Sequence, residues 1–180
     1  MKKKVLAISG STRKNSSNES ILKAIAKRYS ERLEVQIFNQ IDQLPHFSPD
    51  LSDDLKQPLV AIFLDLIKNA DGVLICTPEY VFSLPGSLKN ALEWTVSTTV
   101  FSHKPCAFIV ASGLGEKAFE SLDLIMATLI QSRIPEKSKL LIQGARGKVN
   151  TDGEFLDDKC KNDITGVMDS FILSMNTKTN

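Results

Sequence analysis

Five short apolar runs recur along the chain, at residues 4–9, 34–38, 72–76, 106–111 and 139–143. Between them the apolar positions shift to a spacing of three and four. Residues 20–31 place Ile21, Leu22, Ile25 and Ala26 on one helical face, and residues 55–69 do the same with Leu59, Ile62, Phe63, Leu66 and Ile67. Residues 88–94, 117–130 and 157–175 complete five predicted helices. Val73-Leu74-Ile75 and Ala107-Phe108-Ile109-Val110 are continuously apolar rather than alternating, the mark of strands covered on both faces. Strand alternating with helix predicts a parallel sheet, because parallel neighbours need long crossovers and helices supply them. The expected fold is α/β, a three-layer sandwich over residues 1–180 with a five-stranded parallel sheet of order 2-1-3-4-5. Residues 40–57, rich in Pro, Asp and Ser, read as a long surface connection into the second helix.

Composition narrows the function without naming it. A chain of 180 residues buries roughly 70% of the surface its unfolded form exposes, so no metal or disulfide is needed for folding. Lys and Arg total 22 against 21 Asp and Glu, which leaves no basic field for nucleic acid and no acidic tail. Lys2-Lys3-Lys4 reads as a solvated start to the first strand. No run approaches a membrane span, and the apolar stretch before Gly10 is too short for a signal-peptide core, so a cytoplasmic protein without a membrane partner is expected. Cys76, Cys106 and Cys160 are an odd number at wide spacing and read as buried structural thiols; His46 and His103 read as ordinary loop residues, with no metal site.

The candidate chemistry lies in three loops, each leaving the carboxyl end of a predicted strand. After the first strand comes Gly10-Ser11-Thr12-Arg13-Lys14-Asn15-Ser16-Ser17-Asn18, opening a helix. Unpartnered amides at a helix start, hydroxyls and Arg13 suit an anion. The loop lacks the Gly-Lys-Ser/Thr of a Walker motif and the Gly-x-Gly-x-x-Gly of dinucleotide folds, so a small monophosphate ester fits better than a triphosphate. Taken alone, it also reads as a plain helix start capped by Ser17 or Asn18, with Ser20 helping. The second loop, residues 77–86, is framed by Pro78 and Pro85, which fix the direction of the peptide groups between them. Its Tyr80 and Phe82 offer surface for stacking or a subunit contact, or else pack into the core. In the third loop, residues 112–116, Gly113 and Gly115 allow close backbone approach or simply form a turn. In a 2-1-3-4-5 sheet these loops rise from neighbouring strands beside the crevice where the order reverses, so one ligand can touch all three.

The first loop, together with Thr77-Pro78-Glu79-Tyr80 and Ser83-Leu84-Pro85-Gly86-Ser87-Leu88-Lys89-Asn90-Ala91-Leu92-Glu93-Trp94, resembles the NADPH-dependent FMN reductase family, flavodoxin-like in fold. The resemblance implies FMN as cofactor, with Ser11, Arg13, Ser16, Ser17 and Asn18 around its phosphate. Thr77, Pro78, Glu79, Tyr80 and Val81 would border the isoalloxazine ring, with Ser112 and Gly113 approaching from the next loop. It implies an enzyme that takes hydride from NADPH or NADH onto the flavin and passes electrons to a quinone, azo compound, flavin or similar small acceptor. No side chain is required as a catalytic nucleophile, and Glu79 takes a structural and ring-edge role. A homodimer or homotetramer is implied, with Phe82, Leu84, Trp94 and residues 96–101 supplying either an interface or core.

Two departures from the family pattern stand out. Val81 occupies a position where the family usually has Asn, which removes a side-chain hydrogen bond. The loop at 112–116 is shorter than usual and lacks the family's Gly-Gly pair and Arg. The competing class is a flavodoxin-like electron carrier, or a flavin-binding module, without its own nicotinamide-dependent turnover. True flavodoxins are acidic, whereas this chain is near neutral.

Overall fold

The computed structural model describes residues 1–51 and 57–177. The elements run β1 (Lys3–Ser9), α1 (Ser17–Arg28), β2 (Leu33–Phe38), α2 (Pro58–Asn69), β3 (Gly72–Thr77), α3 (Gly86–Glu93), β4 (Cys106–Ser112), α4 (Glu116–Ile130), β5 (Lys139–Gln143) and α5 (Asp158–Asn176). The sheet order is β2-β1-β3-β4-β5, with every neighbouring pair parallel. This is the expected flavodoxin-like arrangement.

Strand alternation divides the core between two helical layers. Leu6 and Ile8 of β1, Val73 and Ile75 of β3, and Phe108 and Val110 of β4 pack with α2, α3 and α4. Val5 and Ala7, Leu74 and Cys76, and Ala107, Ile109 and Ala111 face α1 and α5. Both faces of the central strands are therefore dry, which explains their unbroken apolar sequence.

Helix starts depart from expectation where caps rather than apolar spacing decide them. α1 begins three residues before the predicted start, because Ser16 is its N-cap and its Oγ accepts from the Glu19 amide at 3.1 Å. Neither Ser17 nor Asn18 caps the helix. α2 starts with Pro58 in its first turn, where a missing amide proton costs nothing; residues 55 and 56 of the predicted helix lie outside the described residues. The connection at 40–57 is not merely superficial. Ile41 and Leu44 are buried, and the Pro45 carbonyl accepts from Asn90 Nδ2 at 3.0 Å and Trp94 Nε1 at 2.8 Å. Asn90 Oδ1 accepts from the Phe47 amide at 2.8 Å. Polar side chains of α3 thus satisfy loop backbone that would otherwise need water, and part of the loop can sit inside. Leu84, Trp94 and Phe101 are likewise core residues.

Candidate functional site

β1 and β3 are stitched together where their loops depart. The Gly10 amide donates to the Cys76 carbonyl at 2.8 Å, and a Cβ on Gly10 would lie 2.3 Å from Thr77 Oγ1. Only glycine lets the first loop pass so close to the second. Above this junction lies a cavity of about 290 Å3 at the carboxyl ends of the strands. Ser11, Arg13, Ser16, Ser17 and Asn18 line it from the first loop, Pro78 and Tyr80 from the second, and Ser112 and Gly113 from the third. The topology therefore brings the three loops to one place, as their positions after β1, β3 and β4 require.

The first loop ends in unspent donors. Among the described residues, the amides of Lys14, Asn15, Ser16, Ser17 and Asn18 have no protein acceptor, and the Arg13 guanidinium has no carboxylate partner. A helix N-terminus, free amides and a guanidinium around a cavity suit a phosphate. The donor set fits the phosphate of FMN.

Asn18 is differently engaged. It is buried, its Nδ2 donates to the Ala111 carbonyl at 3.3 Å, and its Oδ1 accepts from Cys76 Sγ at 3.3 Å. Burial pushes the Cys76 thiol well above its ordinary pKa, which keeps it protonated and able to donate. The side chain bolts α1 to β3 and β4 beneath the site. All three cysteines are buried and free.

The second loop is closed by a backbone turn at its tip. Tyr80 and Ser83 exchange backbone hydrogen bonds of 2.9 and 3.1 Å around a tight turn, with Val81 and Phe82 both left-handed at φ 50° and 55°. Tyr80's amide is thereby spent on the turn rather than offered to a ring, while the amides of Glu79 and Val81 have no protein acceptor among the described residues. Tyr80, Val81 and Phe82 are all exposed, so the aromatics do not join the core. Glu79 Oε2 accepts from the amides of Lys117 and Ala118 at 2.9 and 3.0 Å. The N-cap of α4 is Gly115, held left-handed at φ 108°, and glycine has no side chain to cap with. Glu79 supplies that cap from another loop, with its charge against the positive end of the helix. Thr77, Glu79 and Val81 thus shape the site from behind or beside it and do not line the cavity.

The cavity has a fourth wall that the sequence reading missed. Gly144, Ala145 and Arg146, just after β5, line it beside Ser112 and Gly113. The Gly144 and Ala145 amides donate to the carbonyls of Gly113 and Ser112 at 3.4 and 3.3 Å. A larger cleft of about 520 Å3 lies near the amino ends of β4 and β5 and includes none of the predicted site residues. Its Lys104 is committed to the carbonyls of Lys68 and Ala70. No helix among the described residues is long and apolar enough to cross a membrane.

A flavodoxin-like sheet carrying a phosphate-ready loop at its switch point defines a class of flavin-binding domains. Residues 3–144 match the family model described as NADPH-dependent FMN reductase, and the chain belongs to that family. It is 29% identical to the NADH-dependent flavin reductase subunit 2 of Lactobacillus johnsonii over 94% of this chain and 95% of that one. It is 30% identical to an NAD(P)H-dependent FMN reductase of Pseudomonas aeruginosa, over 88% and 87%. Among solved structures, the NAD(P)H:acceptor oxidoreductase FerB of Paracoccus denitrificans superposes with a TM-score of 0.80 at 28% identity, covering 97% of each chain. The protein is an oxidoreductase of the FMN-dependent, NAD(P)H-consuming class.

Proposed function

We propose that the protein oxidises NADH or NADPH at an FMN seated in the 290 Å3 cavity and delivers the electrons to a small oxidised acceptor such as a quinone, an azo compound or free flavin. The observation that carries this reading is the convergence of three loops on one cavity whose first wall is made of unspent anion donors. FMN, when bound, supplies the hydride and electron chemistry. This chain's residues supply position. Arg13, Ser11, Ser16 and Ser17 hold the phosphate against the start of α1, and Asn18 keeps that helix start in register with β3 and β4. Pro78 and Tyr80 border the ring and Gly113 leaves room for it; the free amides of Glu79 and Val81 stand beside the cavity, outside its lining, as donors for a polar ring edge that extends past it, where reduction adds negative charge. Glu79 fixes the distance between the second and third loops.

The exposed Tyr80, Val81 and Phe82 beside the cavity support a homodimer or homotetramer with this tip at the subunit contact. A cytoplasmic single-domain protein over residues 1–180 fits the same reading. The test is absorbance scanning of purified protein, then NADH and NADPH oxidation with a quinone as acceptor. Flavin absorbance with acceptor-dependent turnover is expected. Protein that binds no FMN even at high supplied concentration ends the proposal, and bound FMN without nicotinamide turnover replaces the enzyme with an electron carrier.

A further inference from the structure

We infer that Arg146 is a second guanidinium clamp on the FMN phosphate, facing Arg13 across the cavity. This rests on the reading of the cavity as an FMN site and adds a residue that lies beyond the stretch matched by the family model, which ends at residue 144.

Three observations carry it. The first is charge: the cavity lining contains two cations, Arg13 and Arg146, and no Asp or Glu. Neither guanidinium has an ion-pair or hydrogen-bonding partner among the described residues, so both are free to meet an anion in the cavity. A phosphate monoester carries about 1.5 to 2 negative charges near neutral pH, so one guanidinium leaves it only partly offset.

The second is placement. The Lys148 amide bonds to the Ala145 carbonyl at 3.4 Å, closing a turn with Arg146 and Gly147 at its centre. Gly147 has φ 81°, the value a type II turn requires at its third residue. Ala145 is buried, so the backbone that carries Arg146 is fixed even though its side chain is exposed.

The third is linkage to the second half of α1, the helix whose opposite end lines the cavity. After Arg146 the chain makes a small loop, with Leu156 N to Lys148 O at 2.9 Å and Asn150 N to Glu154 O at 3.0 Å, that folds back onto α1. A Cβ on Gly153 would lie 2.8 Å from the Ala24 amide nitrogen, so the loop rests directly on helix backbone. Lys27 and Glu154 pair across the contact at 3.8 Å. The segment bearing Arg146 is thus tied to the β4 loop on one side and to α1 on the other.

The phosphate is separable from the ring, because riboflavin has the ring without the phosphate. Titration of wild type, Arg146→Ala and Arg146→Lys with FMN and with riboflavin, read by flavin fluorescence, should find the FMN Kd raised about ten- to hundredfold in Arg146→Ala. The riboflavin Kd and the melting temperature should stay at wild-type values. Arg146→Lys should recover part of the FMN affinity, since it keeps the charge and loses the planar fork. Equal weakening of riboflavin, or an unchanged FMN Kd, overturns the assignment. An unchanged FMN Kd with a raised KM for NADPH and not NADH would move Arg146 to the donor's extra phosphate and overturn it as well. Wild-type protein that binds neither flavin overturns the FMN site itself.

Discussion

The two loops that flank the crevice between β1 and β3 are built on opposite principles. The β1 loop leaves its donors open: five successive amides from Lys14 to Asn18 and the Arg13 guanidinium have no protein partner among the described residues. The β3 loop is braced, with Tyr80 and Ser83 bonded to each other and the Glu79 carboxylate committed to the start of α4, and only the Glu79 and Val81 amides left open among the described residues. A loop with open donors contributes affinity and little stability, whereas a braced loop contributes stability and presents a preformed wall. Binding a phosphate needs charge that water does not fully satisfy; receiving a flat ring needs a rigid edge.

The sharpest way to break this contrast is to strip the first loop. If the proposed phosphate site is right, Arg13→Ala combined with Ser17→Ala should remove a charge-assisted contact and a hydroxyl from it, at a cost of about 3 kcal/mol in FMN binding, or roughly a hundredfold in Kd. The melting temperature should stay within a degree or so, because the Arg13 side chain has no partner in the protein to lose. Flavin retention after gel filtration, alongside a thermal melt, checks both halves. Retention equal to wild type would remove these residues from the phosphate site.

Glu79→Ala should do the reverse. Loss of the carboxylate leaves the Lys117 and Ala118 amides uncapped in a helix whose own N-cap is glycine. Such a contact contributes about 2 kcal/mol, or a fall of some 4–8 °C in melting temperature for a chain of this size. Glu79→Gln keeps one acceptor oxygen without the charge and should lose about half as much. A melt unchanged in Glu79→Ala would show that water caps α4 equally well, and the second loop would then be no better braced than the first.

Sequence patterning reached the fold more surely than the chemistry, for physical reasons visible in single residues. Strands buried on both faces must be apolar at every position, so β3 and β4 announced themselves; the alternation with helices made the sheet parallel, while the order 2-1-3-4-5 came with the flavodoxin-like resemblance. The cap of α1 was harder. Ser16, Ser17, Asn18 and Ser20 are all cap-forming types, and the apolar spacing that begins at Ile21 does not say which one takes the Glu19 amide. Arg146 was missed because the turn after β5 has no distinctive spacing. The available signal was that β5 ends on the same sheet edge as β1, β3 and β4, with an Arg framed by Gly144 and Gly147. At Val81 the sequence pointed to a lost hydrogen bond, but the structure adds a backbone reason for the family's Asn, which tolerates the left-handed region far better than a β-branched residue.

That backbone reason gives the smallest and most discriminating test. Val81 is 95% exposed at φ 50°, so its side chain gains nothing from packing while its Cβ crowds the neighbouring carbonyl. Val81→Gly should relieve about 1–2 kcal/mol of strain and give back part of it through the freer unfolded chain, for a net gain of about 1 kcal/mol and a melting temperature about 2–4 °C higher. Val81→Ala keeps the Cβ and loses the branching, so it should fall between the two. Because the Tyr80–Ser83 hydrogen bonds run through backbone alone, the turn and the FMN Kd should be preserved in both variants. A Val81→Gly protein that melts below wild type would mean that the turn depends on Val81 rather than enduring it, and the second loop would owe its rigidity to an apolar tip held by contacts outside this chain.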